Sequence, residues 1–376
     1  MRLVRLMLPA AALLAACNPQ TDAVAQEQAA APAGALPFKV TPVADFDAPW
    51  AIAFLPDGSM LVTEKAGALV HLSADGKQKQ NLASFPVDSA GQGGLMDVVL
   101  APDFATSKHV YLSYSAAGDG GKGVVLVRGV LGTRALTGIT ELFRATPFVS
   151  GNGHYSGRIA FSPDGKYLFF TNGERQKFDP AQDPKATLGK VLRLTPDGKP
   201  AGDPGLTAKG FHPAVWSYGH RNLLGIAFDA KGNLWEQEMG PKGGDEVNLV
   251  LPGRNYGYPK VSNGSHYDGR DIPDHAPGDG FEAPKVWWNP VISPGGLLAY
   301  SGAMFPQWQG DLFIGGLSSQ SLVRVDVNGT SATKGDQWPM GARIRDVEQG
   351  PDGALWLLED GDAPSQGRLL KLTRNE

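Results

Sequence analysis

The chain has 376 residues, of which 49 are Gly and 29 are Pro; 42% are apolar, 19% are charged, and the formal net charge is −4. So many turn-prone residues, beside enough apolar residues for a core, exclude a long-helix bundle, a coiled coil and a disordered chain, and favour many short strands joined by tight turns. A mildly acidic balance with no basic run excludes nucleic acid and other large polyanions as partners.

The N-terminus reads as a processing signal. Arg2 and Arg5 precede an apolar run, Leu6 to Ala16, that is shorter than the roughly 20 residues needed to span a bilayer. The run ends Leu14-Ala15-Ala16-Cys17, which resembles the lipobox of bacterial lipoproteins, and Cys17 is the single cysteine. The resemblance implies a signal peptide over 1–16, a lipid anchor at Cys17 and a periplasmic location. Asn18, in place of Asp, points to the outer membrane. The alternative is an ordinary signal peptide with a chance cysteine. Residues 17–36, rich in Ala, Gln and Pro, read as a flexible tether, and 37–376 as one catalytic domain. Without a second thiol there is no disulfide framework, no CxxC pair and, once Cys17 is lipidated, no cysteine nucleophile.

From there a unit recurs: a turn such as Pro56-Asp57-Gly58, an apolar strand, then a second strand. In chain order the predicted strand pairs are Met60–Glu64 with Ala68–Leu72, His109–Ser115 with Val124–Val130, and Tyr167–Asn172 with Lys190–Leu194. Then come Asn233–Met239 with Glu246–Val250, Asp311–Leu317 with Ser321–Val325, and Ala354–Glu359 with Arg368–Leu372. Six such units, without a sustained helical period, fit an all-β fold, a six-bladed β-propeller. A tandem of β-sandwiches would need a linker, and no break in composition follows residue 37. The long stretch Pro252–Tyr300 is expected to form loops on one face, where propellers place their sites.

Polar clusters fall between these strands: Gly91-Gln92-Gly93-Gly94, Gly151 to Ile159 with Gly173-Glu174-Arg175, Gly219-His220-Arg221-Asn222, Glu238 to Asn248 continuing to Tyr256, and Arg343-Ile344-Arg345-Asp346. From about Trp50 to the C-terminus, the succession GHRN, GP(x)3DE and RxRD resembles the soluble quinoprotein aldose and glucose dehydrogenases of the glucose/sorbosone dehydrogenase type. That resemblance implies a propeller binding pyrroloquinoline quinone (PQQ) and Ca²⁺, which oxidises an aldose at C1 to the lactone and passes electrons to an external acceptor, a quinone or cytochrome. It implies His154 as general base and Glu174 as the carboxylate orienting it. It implies Gln92, Arg221, Asn222, Arg343 and Arg345 as cofactor-binding residues. Gly240 and Pro241 match carbonyl donors to the calcium beside the cofactor, and Glu246 and Tyr256 match holders of a further structural calcium. The chemistry agrees: a tricarboxylate suits guanidinium groups, a neutral imidazole can take a hydroxyl proton near neutral pH, and calcium takes oxygen donors.

One departure stands out. Where the glucose dehydrogenase branch carries a cofactor-contacting Lys after Gly-Leu of the fifth-blade strand, this chain reads Gly316-Leu317-Ser318-Ser319. This favours the aldose branch and leaves room for another cation to substitute. His220 reads as structural, and Trp287-Trp288 as either a sugar platform or blade packing. Two other classes stay open: a calcium-dependent propeller lactonase or esterase, which would turn acidic side chains into the central channel, and a non-catalytic envelope scaffold.

Overall fold

A computed structural model describes residues 36–201 and 204–375; the expected signal peptide, the expected anchor at Cys17 and the expected tether up to residue 35 lie outside them. Six four-stranded antiparallel sheets are arranged as the blades of a propeller. From the innermost strand outward, blade one is Pro49–Phe54, Met60–Glu64, Ala68–Leu72 and Lys79–Ser84. Blade two begins with Leu95–Leu100, blade three with Ser156–Phe161, blade four with Leu223–Phe228 and blade five with Pro294–Ala299. Blade six takes Ile344–Gln349, Leu355–Glu359 and Arg368–Arg374 from the end of the chain and Phe38–Asp45 from its beginning. Phe38 stands opposite Arg374 and Asp45 opposite Arg368, so the two ends of the domain close the ring together.

The predicted strand pairs are the second and third strands of the six blades, displaced by a few residues at most. The second strands are buried on both faces, as in Leu168–Asn172, Leu234–Glu238, Leu312–Gly316 and Leu355–Glu359. A blade packs against each side of them, so most of them read as apolar runs; Leu234–Glu238 is the exception, since it carries the buried Glu236, Gln237 and Glu238. The Pro-Asp-Gly turns lead into them as expected. At the first, the Gly58 amide donates to the Leu55 carbonyl at 2.9 Å while Gly58 takes φ +82°. The expectation for Pro252–Tyr300 needs correction. It is mostly loop, as expected, but it also holds the two-residue strand Gly264–Ser265, the outermost strand of blade four (Val286–Trp288) and the innermost of blade five (Pro294–Ala299).

The innermost strands of neighbouring blades pack side by side around the channel, and one side chain ties them together. Arg158 of blade three is buried; its Nη1 donates to Asp97 Oδ1 of blade two at 3.1 Å and its Nε to the Leu224 carbonyl of blade four at 2.8 Å. Its Nη2 lies 2.9 Å from Asp346 Oδ1 of blade six, and its guanidinium lies 4.0 Å from the centre of the Trp50 ring of blade one. Asp346 in turn accepts the Ile52 amide at 3.1 Å. The channel thus holds Asp97 and Asp346 with a guanidinium between them, and the pKa of the Glu348 carboxyl beside them is raised by burial and by the two aspartates. Among the described residues no helix is long and apolar enough to cross a membrane.

Candidate active site

Three cavities lie around the Arg221-Asn222 step between blades three and four. The first, about 220 Å³, is lined by Trp50, Lys65, Gln92, Asn222, Arg343 and Arg345 among others. The second, about 230 Å³, is lined by His154, Glu174, Phe178, Arg221, Tyr258 and Tyr267 among others. The third, about 10 Å³, lies against Arg221, Glu238, Gly240, Glu246 and Tyr256. Each is lined by some of the residues singled out from the sequence, and Pro241 joins the wall of the second.

His154 and Glu174 form a buried pair, Nδ1 to Oε1 at 2.5 Å. The other Glu174 oxygen accepts the Lys177 and Phe178 amides at 2.5 and 2.7 Å. Burial works to raise the Glu174 pKa, but the hydrogen bonds from His154 and Phe178 outweigh it and hold the carboxyl below its ordinary value. An ionised Glu174 can only accept, so the His154 proton sits on Nδ1 and Nε2 is left as the basic nitrogen. Burial lowers the His154 pKa despite the Glu174 charge, which keeps the imidazole neutral near pH 7.

The backbone carrying the pair is held in an unusual shape. His154, Ser156, Arg175, Gln176 and Phe178 all take positive φ, a conformation that non-glycine residues hold only when their surroundings dictate it. Gln92 supplies one restraint: its side-chain oxygen accepts the His154 amide at 2.7 Å. Arg175 supplies another, donating to the Gly151 carbonyl at 2.7 Å and to the Gly153 carbonyl, and stacking 3.6 Å from the centre of the Tyr155 ring. The sequence reading placed Arg175 in the cluster without a role. Only glycine fits at 173, because a Cβ there would collide with the His154 carbonyl oxygen. Gly173→Ala is expected to cost about 1–3 kcal/mol, in the range of other overpacked sites, and to lower turnover by moving the His154 loop. Urea unfolding and steady-state kinetics on one preparation check this.

On the other side of the first cavity, Arg343 Nε and Arg345 Nη2 reach the same oxygen, Asp360 Oδ2, at 2.8 and 3.4 Å. Two guanidinium groups thus share one carboxylate and keep donors to spare. Among the described residues Arg221 Nε is buried without a partner. These are features of an anion site, and they suit a polycarboxylate. Ser318 and Ser319 do not face this cavity: their hydroxyls contact the Val291 and Ile292 carbonyls at 3.5 and 3.3 Å, and Leu317 forms the wall instead.

The candidate cation donors are partly engaged. The Gly240 carbonyl accepts Arg221 Nη1 at 2.5 Å, and the Met239 carbonyl accepts the same nitrogen at 2.9 Å. A calcium ion on Gly240 would share that carbonyl with the guanidinium or displace it. The Tyr256 hydroxyl donates to Leu249 at 2.5 Å and accepts the Leu251 amide at 2.8 Å, so this residue could offer a cation only its backbone carbonyl. Glu246 is buried next to Glu236 and Glu238, and Asn248 Nδ2 bridges Glu236 and Glu246 at 2.7 and 2.9 Å. The sequence reading did not mark Glu236. His220 faces this group at 3.2 Å from Glu238 and 3.4 Å from Glu236. Burial alone would lower the His220 pKa, but hydrogen bonds to Glu236 and Glu238 push it up to about 9. His220, Glu236 and Glu238 bring their ligand atoms within 4.8 Å of one another, a group that could itself hold a metal ion. Burial raises the pKa of Glu236 and of Glu246, so a hard cation entering the adjoining ion-sized cavity would draw off their protons and take the carboxylates as oxygen donors.

Trp287 and Trp288 line neither large cavity. They sit on the outermost strand of blade four, Trp288 in the core and Trp287 near Lys334. The exposed aromatic rings beside His154 are Phe178 and Tyr267.

A model of the family described as Glucose / Sorbosone dehydrogenase matches residues 46–371. The chain is 42% identical over 340 residues to the aldose sugar dehydrogenase YliI of Escherichia coli (strain K12), covering 87% of this chain and 90% of that one. The crystal structure of the apo-form of the soluble aldose sugar dehydrogenase from Escherichia coli superposes with a TM-score of 0.84 at 40% identity, covering 90% of this chain and all of that one. The PQQ-bound aldose sugar dehydrogenase from Streptomyces coelicolor gives 0.75 at 30% identity, covering 90% and 98%.

Proposed function

The chain belongs to the glucose/sorbosone dehydrogenase family, and from that premise we propose that it is a quinoprotein aldose dehydrogenase that converts the C1 hydroxyl of an aldose to the lactone. The observation that carries this reading is the His154–Glu174 pair at 2.5 Å, with Arg221 lining the same cavity and Arg343 and Arg345 lining the neighbouring one. When bound, PQQ supplies the ortho-quinone that accepts the hydride leaving C1. Arg343, Arg345, Arg221, Gln92 and Asn222 would hold it. Calcium would be held by carbonyls at Gly240 and Pro241, with a second ion at Glu246 and the Tyr256 carbonyl, and would add Lewis acidity and structural charge balance.

The protein's own part is proton transfer and placement. His154 Nε2 takes the C1 hydroxyl proton, and Glu174 stabilises the resulting imidazolium and keeps the ring oriented. Gln92 and Arg175 hold the loop so that this nitrogen stays in place. Phe178 and Tyr267 offer flat apolar faces to a sugar ring in the second cavity. The reading includes export and lipid anchoring through Cys17 at the outer membrane, facing the periplasm, and an external quinone or cytochrome as electron acceptor.

A lactonase would need free channel carboxylates for its metal, and here Arg158 pairs with Asp97 and Asp346. A scaffold would not need a buried His–Glu pair beside clustered arginines.

The test is dye-linked oxidation of aldoses by purified apo-protein, with and without PQQ and Ca²⁺. Activity that requires both supports the reading; no activity on any sugar, with no PQQ binding by calorimetry, overturns it. Arg345→Ala is expected to weaken PQQ binding about 10- to 100-fold, the worth of one charge-assisted hydrogen bond. Titration calorimetry measures this directly.

A further inference from the structure

We propose that Lys65 is a cofactor-binding residue, supplying from blade one the positive charge that the end of the blade-five strand lacks. The proposal rests on the quinoprotein reading above. Lys65 directly follows the strand Met60–Glu64 and lines the first cavity with Arg343 and Arg345. It is half-buried, and among the described residues no carboxylate or carbonyl lies within bonding distance of its ammonium.

The charge around it is unbalanced. Arg343 and Arg345 already share the single buried carboxylate of Asp360. The other acid lining the cavity, Asp362, is exposed, and its amide donates to Asp360 Oδ1 at 2.9 Å. Three cations, one from blade one and two from blade six, therefore line a single cavity with one buried carboxylate among them. An ordinary surface lysine would keep its ammonium in water, away from other cations. Holding it half-buried in a cavity that two guanidinium groups also line is favourable only when an anion joins them.

The backbone keeps Lys65 at this place. Its amide donates to the Ala48 carbonyl at 3.0 Å and its carbonyl accepts the Leu95 amide at 3.1 Å. Gly94 lies against it so closely that a Cβ at 94 would collide with the Lys65 carbonyl and side-chain stem. The position also gives the cavity a polarity. In a ring of six, the seam between blades six and one lies opposite the seam between blades three and four, where Arg221 and the His154–Glu174 pair stand. Lys65, Arg343 and Arg345 thus attract the carboxylates of the cofactor to one end of the cavity and leave its other end toward His154.

The experiment is calorimetric titration of apo-protein with PQQ at several salt concentrations. Lys65→Ala is expected to weaken binding about tenfold or more and to reduce its salt dependence, while Lys65→Arg keeps affinity within about threefold. Thermal unfolding without PQQ should be unchanged in Lys65→Ala, because the ammonium has no partner to lose. If Lys65→Ala binds PQQ as tightly as the unaltered protein, the proposal fails and the quinoprotein reading stands. If the unaltered protein does not bind PQQ, both fail.

Discussion

Replacing His154 with alanine is expected to lower kcat for aldose oxidation by about 10²–10⁴-fold, the usual contribution of a positioned general base, with PQQ affinity changed little. The same group sets the expected pH dependence. Burial places the His154 pKa below its ordinary value of 6.5, so the neutral, proton-accepting form persists into mildly acid solution. The acid limb of kcat/KM should therefore fall below pH 6.5. Glu174 opposes that shift, because its negative charge favours the imidazolium. Glu174→Gln removes this support, so the acid limb should move to still lower pH while the rate drops across the whole range. A limb that moves to higher pH in Glu174→Gln would rule out this pair as base and orienting carboxylate. A His154→Ala variant that keeps its rate would remove the proton-transfer role altogether.

Arg158→Met is expected to destabilise the fold by about 3–5 kcal/mol, the cost of leaving buried charges without their partner. Burial already pushes Asp346 up to about 6 and raises Asp97, even with the guanidinium in place. Without it, both carboxylates must take up protons or water inside the channel. The loss should be visible as a lower urea midpoint with little change in slope. The triple variant Arg158→Met, Asp97→Asn, Asp346→Asn should recover much of it, since it removes the guanidinium together with the two carboxylates it pairs and leaves Glu348 as the one acid of this group. Recovery would locate the cost in the orphaned acids. Failure to recover would mean that Arg158 acts mainly by packing against Trp50 and bonding to the Leu224 carbonyl.

The sequence revealed the strands that are buried on both faces and little of the others. Leu312–Gly316 and Leu355–Glu359 are apolar throughout or nearly so, and their turns carry Pro, Asp and Gly. Outer strands such as Lys79–Ser84 are largely exposed, and their polar residues look like loop. Inner strands carry the hub and site residues, so their apolar pattern is broken; Arg158 and Asp346 are examples. Pro252–Tyr300 was misread for this reason: the three-residue strand Val286–Trp288 is too short for a period, and Pro294–Ala299 begins Pro-Gly-Gly.

In the site, motif residues were legible because glycines and charged pairs mark them. What joins them was not. Gln92 reaches the His154 backbone across 62 positions of sequence, and Lys65 and Arg343 line one cavity only because the ring closes. Trp287-Trp288 suggested a platform because two adjacent aromatics are conspicuous, yet neighbours on a strand point to opposite sides, and neither side here faces a cavity. The engagement of the Gly240 carbonyl by Arg221 is likewise a matter of three-dimensional reach.

The closure of blade six by both ends of the chain has a consequence for how the protein is made. Asn375 binds the Leu36 carbonyl across 339 positions. At ordinary translation rates the first strand waits on the order of half a minute or more before its partner exists. Throughout that time Phe38–Asp45 is an open sheet edge, the kind of segment that recruits other chains. Its own composition guards it. Pro42 removes one donor, the ladder slips between Pro42 and Ala44, and Lys39 and Asp45 leave charges along the edge. The same strand that locks the finished ring is thus built to remain unattractive to strangers while nascent, and a Pro42→Val change would show its cost as aggregation during expression before any loss in the folded enzyme.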